Sequence, residues 1–145
     1  MGGLLPSLKT VSLKSFKADK DNWYRIAEST VGPNYPSSLV VNISNVYGNE
    51  NQKKILMYIA GDGYAENLAT VLAKSADNAI LKVRIVKKAS TESSYKTYID
   101  IMPATNNIYY VSCANIINMK MPDSIENVTT NGVPSGYTSV EFSIQ

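Results

Sequence analysis

Apolar and polar residues alternate with a period of two through most of this chain. In ILKVRIVKK, Leu81, Val83 and Ile85 point one way and Lys82 and Arg84 the other, the pattern of a strand with one covered face. VEFSIQ sets Val140, Phe142 and Ile144 against Glu141 and Ser143. SYKTYIDIM sets Tyr95, Thr97, Ile99 and Ile101 against Lys96, Tyr98 and Asp100. The runs SLVVNISNVYG, KKILMYIAGD and NIYYVSCAN are more continuously apolar, and they predict strands with cover on both faces. β-Branched and aromatic residues are frequent in all these segments, as a pleated surface prefers.

Turn chemistry separates the runs at the intervals of an antiparallel sandwich. VGPNYPSS, YGNENQKK, GDG, KSADNA, KASTESS, PATNN and TTNGVPSGY are the breaks, with Asp62-Gly63 and Asn131-Gly132 tolerating positive φ. AENLATVLAKSA fits two periods. Leu68, Val71, Leu72 and Ser75 have helical spacing, whereas Leu68, Thr70 and Leu72 share one face of a strand. Its neighbours on both sides read as strands, which favours strand over helix for 65–76. The expected fold is all-β: a single-domain antiparallel β-sandwich, jelly-roll-like, over residues 21–145. Residues 1–20, with alternating Val11 and Leu13, form either a first strand or an arm ordered against another subunit.

The only tryptophan stands in NWYRIAE. Tyr24 and Ile26 share one face there, and Trp23, Arg25 and Ala27 the other. Trp23 is expected to close one end of the sandwich. Arg25 is expected to lie across an aromatic face or to pair with an acid from the next strand.

Composition narrows the chemistry. Of the 145 residues, 44% are hydrophobic and 18% charged, and the formal charge of +2 includes no basic block. This composition gives no indication of nucleic-acid binding. No run approaches the 18 or so apolar residues of a membrane span, so membrane insertion is not expected. MGGLLPSLKT has too short an apolar run and too little charge for a signal peptide. Cys113 is the only cysteine; its apolar surroundings in IYYVSCANII suit a small buried hydrophobe better than a reactive thiol. Histidine is absent, which removes the usual general base and the commonest metal ligand. Neither a cofactor nor a metal is expected.

Three spacings invite chemistry and fall short of it. Asp62, Glu66 and Asn67 in GDGYAEN offer oxygen ligands for calcium, but without the alternating donors of a twelve-residue loop; a tight turn is the better reading. Asp123 and Glu126 form a pair of acids of the kind that hydrolyses glycosides, yet acids three apart in a loop are usually solvated surface. Ser93 and Lys96 have S-x-x-K spacing, but the segment runs into a predicted strand and lacks the companion motifs. No catalytic residue is assigned, and no enzyme is expected.

The ten tyrosines stand out more. Tyr35, Tyr47, Tyr64, Tyr95 and Tyr137 sit in or beside predicted turns, where exposed aromatics stack on sugars or anchor an interface. Tyr35, Tyr64, Tyr95 and Tyr137 are the candidate ligand-binding residues.

Trp23 to Ala27 (WYRIA), Ile80 to Val86 (ILKVRIV), Tyr98 to Ile101 (YIDI) and Asn107 to Val111 (NIYYV) follow one another in a familiar order. In this the chain resembles the C-terminal head domains of tailed-phage tail fibres and related minor structural proteins, over roughly 21–145. Such domains usually end long fibrous proteins, whereas this chain opens with twenty residues of its own, as a separately expressed domain would. The resemblance implies a β-sandwich head, commonly a homotrimer, on the virion and outside the cell. It implies attachment to a bacterial surface receptor, glycan or protein, without catalysis. The matching segments are framework strands, so no ligand-contacting residue carries over. A carbohydrate-binding module of a secreted bacterial protein and a virion assembly or decoration protein are the alternatives.

Overall fold

The computed structural model describes residues 12–46 and 52–144. Tyr47, most of the turn that contains it, and residues 1–11 of the expected arm lie outside the described residues. The described part holds no helix. Ten strands form: β1 (Ser12–Ala18), β2 (Tyr24–Ser29), β3 (Ser37–Asn45), β4 (Lys54–Gly61), β5 (Leu68–Lys74), β6 (Ile80–Lys87), β7 (Tyr98–Pro103), β8 (Asn107–Ile117), β9 (Met119–Lys120) and β10 (Thr138–Ser143).

They make two antiparallel sheets of five strands. Sheet A runs β1-β8-β3-β4-β5 and sheet B runs β10-β6-β7-β2-β9. The nested pairs β1–β8 and β2–β7, one in each sheet, give the sandwich its jelly-roll-like character. AENLATVLAKSA supplies β5, paired to β4, so the strand period wins over the helical one.

Alternation builds the core. Leu39, Val41, Ile43, Ile55, Met57 and Ile59 face inward from β3 and β4, and Ile80, Val83, Ile85, Ile99 and Ile101 meet them from β6 and β7. At about 25 cal/mol per Å2 of buried apolar surface, each of these side chains contributes roughly 1.5–3 kcal/mol.

The structure corrects the sequence reading at five places. The register shifts between Ile80 and Lys82, which buries Ile80 fully and leaves Leu81 half-exposed. A bulge between Arg25 and Ala27 turns both Ile26 and Ala27 into the core, because the extra residue reverses the alternation. The strand expected from Ser94 begins only at Tyr98. Before it, Tyr95 closes a turn on the Glu92 carbonyl, and the Thr97 N–H is taken by the Ser29 hydroxyl at 2.8 Å. Trp23 is buried but closes no end of the sandwich: it lies outside the core cluster.

A fifth correction concerns the expected double cover of β3, β4 and β8. Each has one buried face, and the outward positions Val40, Asn42, Leu56, Tyr58 and Tyr110 remain half-exposed or exposed. Among the described residues only sheet B has its outer face covered. Residues 121–137, called the strap below, run along β2 and then return across β7 and β6 to the start of β10. The strap follows β2 through the bonds Arg25 N–H to Glu126 O (3.2 Å) and Val128 N–H to Trp23 O (2.8 Å).

Candidate functional site

Arg25, Arg84 and Asp100 all point outward from sheet B, on three neighbouring strands in register. Alternation alone would send them to water. The strap covers them instead, and Asp100 is wholly buried while Arg84 is 6% exposed. A buried carboxylate needs partners. Asp100 Oδ1 accepts from Arg25 Nε at 2.8 Å, and Oδ2 accepts from Arg25 Nη2 at 3.1 Å and Arg84 Nε at 2.7 Å. Each guanidinium also donates to the strap: Arg25 Nη2 to Gly132 O at 2.6 Å, and Arg84 Nη2 to Val128 O at 3.1 Å.

Both expectations for Arg25 are met together, since its guanidinium also lies 4.0 Å from the centroid of the Tyr98 ring. Arg84 lies 4.6 Å over the ring of Trp23. Gly132 is required where the strap crosses: a Cβ there would overlap the Arg84 guanidinium and the Val128 carbonyl. The carboxylate holds both arginines and each arginine holds the strap, so the cluster serves as a frame.

That frame ends in a patch of aromatic rings. Tyr98 packs against Tyr137 at 6.0 Å between centroids, and Tyr137 meets Tyr95 edge-on at 6.2 Å. The Lys88 ammonium sits 4.0 Å over the Tyr95 ring. Partial burial, together with the neighbouring Tyr98, holds the Tyr137 hydroxyl above its ordinary pKa.

Tyr35 and Tyr64 stand at the same end of the sandwich. Their loops are joined by the Gly63 N–H, which donates to Pro33 O at 2.6 Å. Gly63 is also the meeting point with the β6–β7 loop, for a Cβ would come within 2.8 Å of the Lys88 carbonyl. The loops 30–36, 62–67, 88–97 and 133–137 therefore share one end of the molecule. Tyr35 and Tyr64 are 59% and 58% exposed. Tyr95 and Tyr137 are half-buried and touch; no ring contact among the described residues joins them to the other two. Sequence reasoning missed Tyr98 and Lys88. Lys88 opens a predicted turn and Tyr98 lies inside a predicted strand, and only the pairing of β6 with β7 and β10 brings them to Tyr95 and Tyr137.

The other candidates have structural occupations. Asp62 Oδ1 accepts the backbone N–H groups of Tyr64 and Ala65, and Asn67 Oδ1 accepts that of Asp62 at 3.0 Å; GDGYAEN is a tight turn. Glu126 accepts a hydrogen bond from the Ser124 hydroxyl, and Asp123 gives its backbone carbonyl to Lys14. Both acids are exposed, with neither held against the other. Lys96 Nζ donates to the Ser93 backbone carbonyl at 3.4 Å, so the pair offers no activated serine. Cys113 faces the core, and burial pushes its thiol up to about 12. Among the described residues, no helix is long and apolar enough to cross a membrane.

No family model, curated protein or solved structure matches this chain.

Proposed function

We propose that the chain is a non-enzymatic receptor-binding head of the tail-fibre type, which attaches a virion to a glycan or protein on a bacterial surface. The observation that carries this reading is the convergence of four tyrosine-bearing loops on one end of a rigid double sheet. A binding surface of that kind combines variable loops with a framework that does not move. Tyrosine suits it, because a ring gives a large amphipathic contact for the loss of only two side-chain torsions. The ring pair Tyr95–Tyr137 offers a fixed platform, whereas Tyr35 and Tyr64 offer adaptable contacts around it.

Adsorption of labelled protein to susceptible cells tests the reading. Tyr35→Ala, Tyr64→Ala, Tyr95→Ala and Tyr137→Ala are each expected to weaken adsorption while the far-ultraviolet circular dichroism stays unchanged. Undiminished adsorption by all four variants would refute the loop end as the receptor site.

A further inference from the structure

The outer face of sheet A is the opposite of its counterpart on sheet B. Among the described residues no strap crosses it. Leu13, Leu68, Leu72, Ile108, Tyr110 and Ile117, six of the ten large hydrophobic residues most exposed among those described, lie on its strands. The middle of the face carries no charge: register places Ala114, Val40, Tyr58 and Thr70 in one row, and Ser112, Asn42 and Leu56 in the next.

Charge lies towards the two ends of the strands, with Lys17 of β1 opposite Ile108 and the rest on the β4–β5 side. A hollow of about 290 Å3 at one end is lined by Lys54, Lys74, Leu56 and Asn42. A second, of about 320 Å3 at the loop end, is lined by Asp62, Glu66, Tyr58 and Ile117. Both hollows belong to the β4–β5 side of the sheet. Within the described residues Lys54, Lys74 and Glu66 form no ion pair.

We infer that two copies of this chain pack through the outer faces of sheet A, with strands antiparallel across the contact. A two-fold axis lying in the contact plane and crossing the strands keeps β4 and β5 over their own copies while it exchanges the ends. The basic hollow of each copy then meets the acidic hollow of the other, twice over, and the uncharged rows around Tyr58 and Leu56 meet near the axis. The opposite arrangement, with strands parallel, would set lysines against lysines. Isologous pairing of this sort needs a self-complementary patch, and the charge pattern supplies one. The size also fits. Five strands about 4.8 Å apart and seven residues deep at about 3.3 Å each cover roughly 550 Å2 per copy, or roughly 1,100 Å2 for the pair, against the ~1,000 Å2 that marks a specific interface. The more continuously apolar sequences of β3, β4 and β8, which predict cover on both faces, gain that cover from the second copy.

This inference is independent of the receptor reading, and it differs from the trimer that the family resemblance implies. Light scattering or sedimentation on the full chain should give twice the 15.9 kDa chain mass at concentrations near 100 µM. Lys54→Glu should raise the dimer dissociation constant by about tenfold or more, because Lys54 stands opposite Ser44 on the outer face and the change places like charges together at both ends of the contact. Adding Glu66→Lys in the same chain should restore it, since the two reversals exchange the hollows. A second probe, Leu68→Arg, changes an exposed side chain and should also weaken the dimer, with circular dichroism confirming the fold of every variant. A monomer at that concentration, a mass of three chains, or a dimer indifferent to these substitutions would each overturn the inference.

Discussion

The guanidinium of Arg84 is clamped between the Trp23 ring, 4.6 Å from its centroid, and the carboxylate of Asp100, 2.7 Å from its Nε. A cation held on both sides in this way cannot turn to solvent. Its Nη2 donates to the strap at the Val128 carbonyl. One buried acid on β7 thus organises two arginines, two aromatic rings and a seventeen-residue connection.

Removing that acid should be costly. Asp100→Ala leaves two guanidiniums buried without their shared counter-charge, and a broken buried pair typically costs about 3–5 kcal/mol. Urea denaturation should report a loss of that order. Asp100→Asn, which keeps acceptor capacity without the charge, is expected to lose less.

The strap crossing is sterically tight at one point. Gly132→Ala forces the Arg84 guanidinium or the Val128 carbonyl to move, and overpacking of this sort costs about 1–3 kcal/mol. The neighbouring exposed Val133→Ala should stay within about 0.5 kcal/mol of wild type. Amide hydrogen exchange should place the loosening in 128–137 for Gly132→Ala alone.

Cys113 sets a pH dependence. Its thiol titrates near 9.0 when unperturbed and is pushed up to about 12 by burial in the folded chain. Between those values the unfolded chain has lost a proton that the folded chain still holds, so stability falls as pH rises. The contribution is fully present below pH 9 and lost progressively towards 12. A thiol-reactive dye at pH 8 should label the native protein very slowly and the denatured protein at once.

Two apolar truncations should separate core from margin. Ile85 is completely buried, and Ile85→Ala should cost about 2–5 kcal/mol. Phe142 is only partly buried against the core, so Phe142→Ala should fall below the ~3–5 kcal/mol of a fully enclosed phenylalanine. Paired denaturation curves measure the difference directly.

These sites differ in how far the sequence betrays them. The two-fold period in 80–87 and 140–145 names the inward residues Val83, Ile85 and Ile144 because a strand's faces are set locally. Bulges are different: whether Ile26 and Ala27 share a face depends on what β7 offers opposite them, and no local pattern records it. The burial of Arg84 and Asp100 is hidden for a similar reason. Alternation correctly puts them on the outward face, but the cover arrives from 121–137, which reads as a polar loop. Tyr95 and Tyr137 were legible as turn tyrosines, yet their contact depends on β10 pairing with β6, a long-range event.

The position of Trp23 gives the molecule a built-in optical label. As the only tryptophan, it accounts for nearly all fluorescence excited at the red edge of the aromatic band. It rests under the strap beside Arg84, on the sheet opposite the outer face of sheet A. Its emission should therefore remain constant when a second chain binds through sheet A, and shift to longer wavelength when the strap lifts and water reaches the indole.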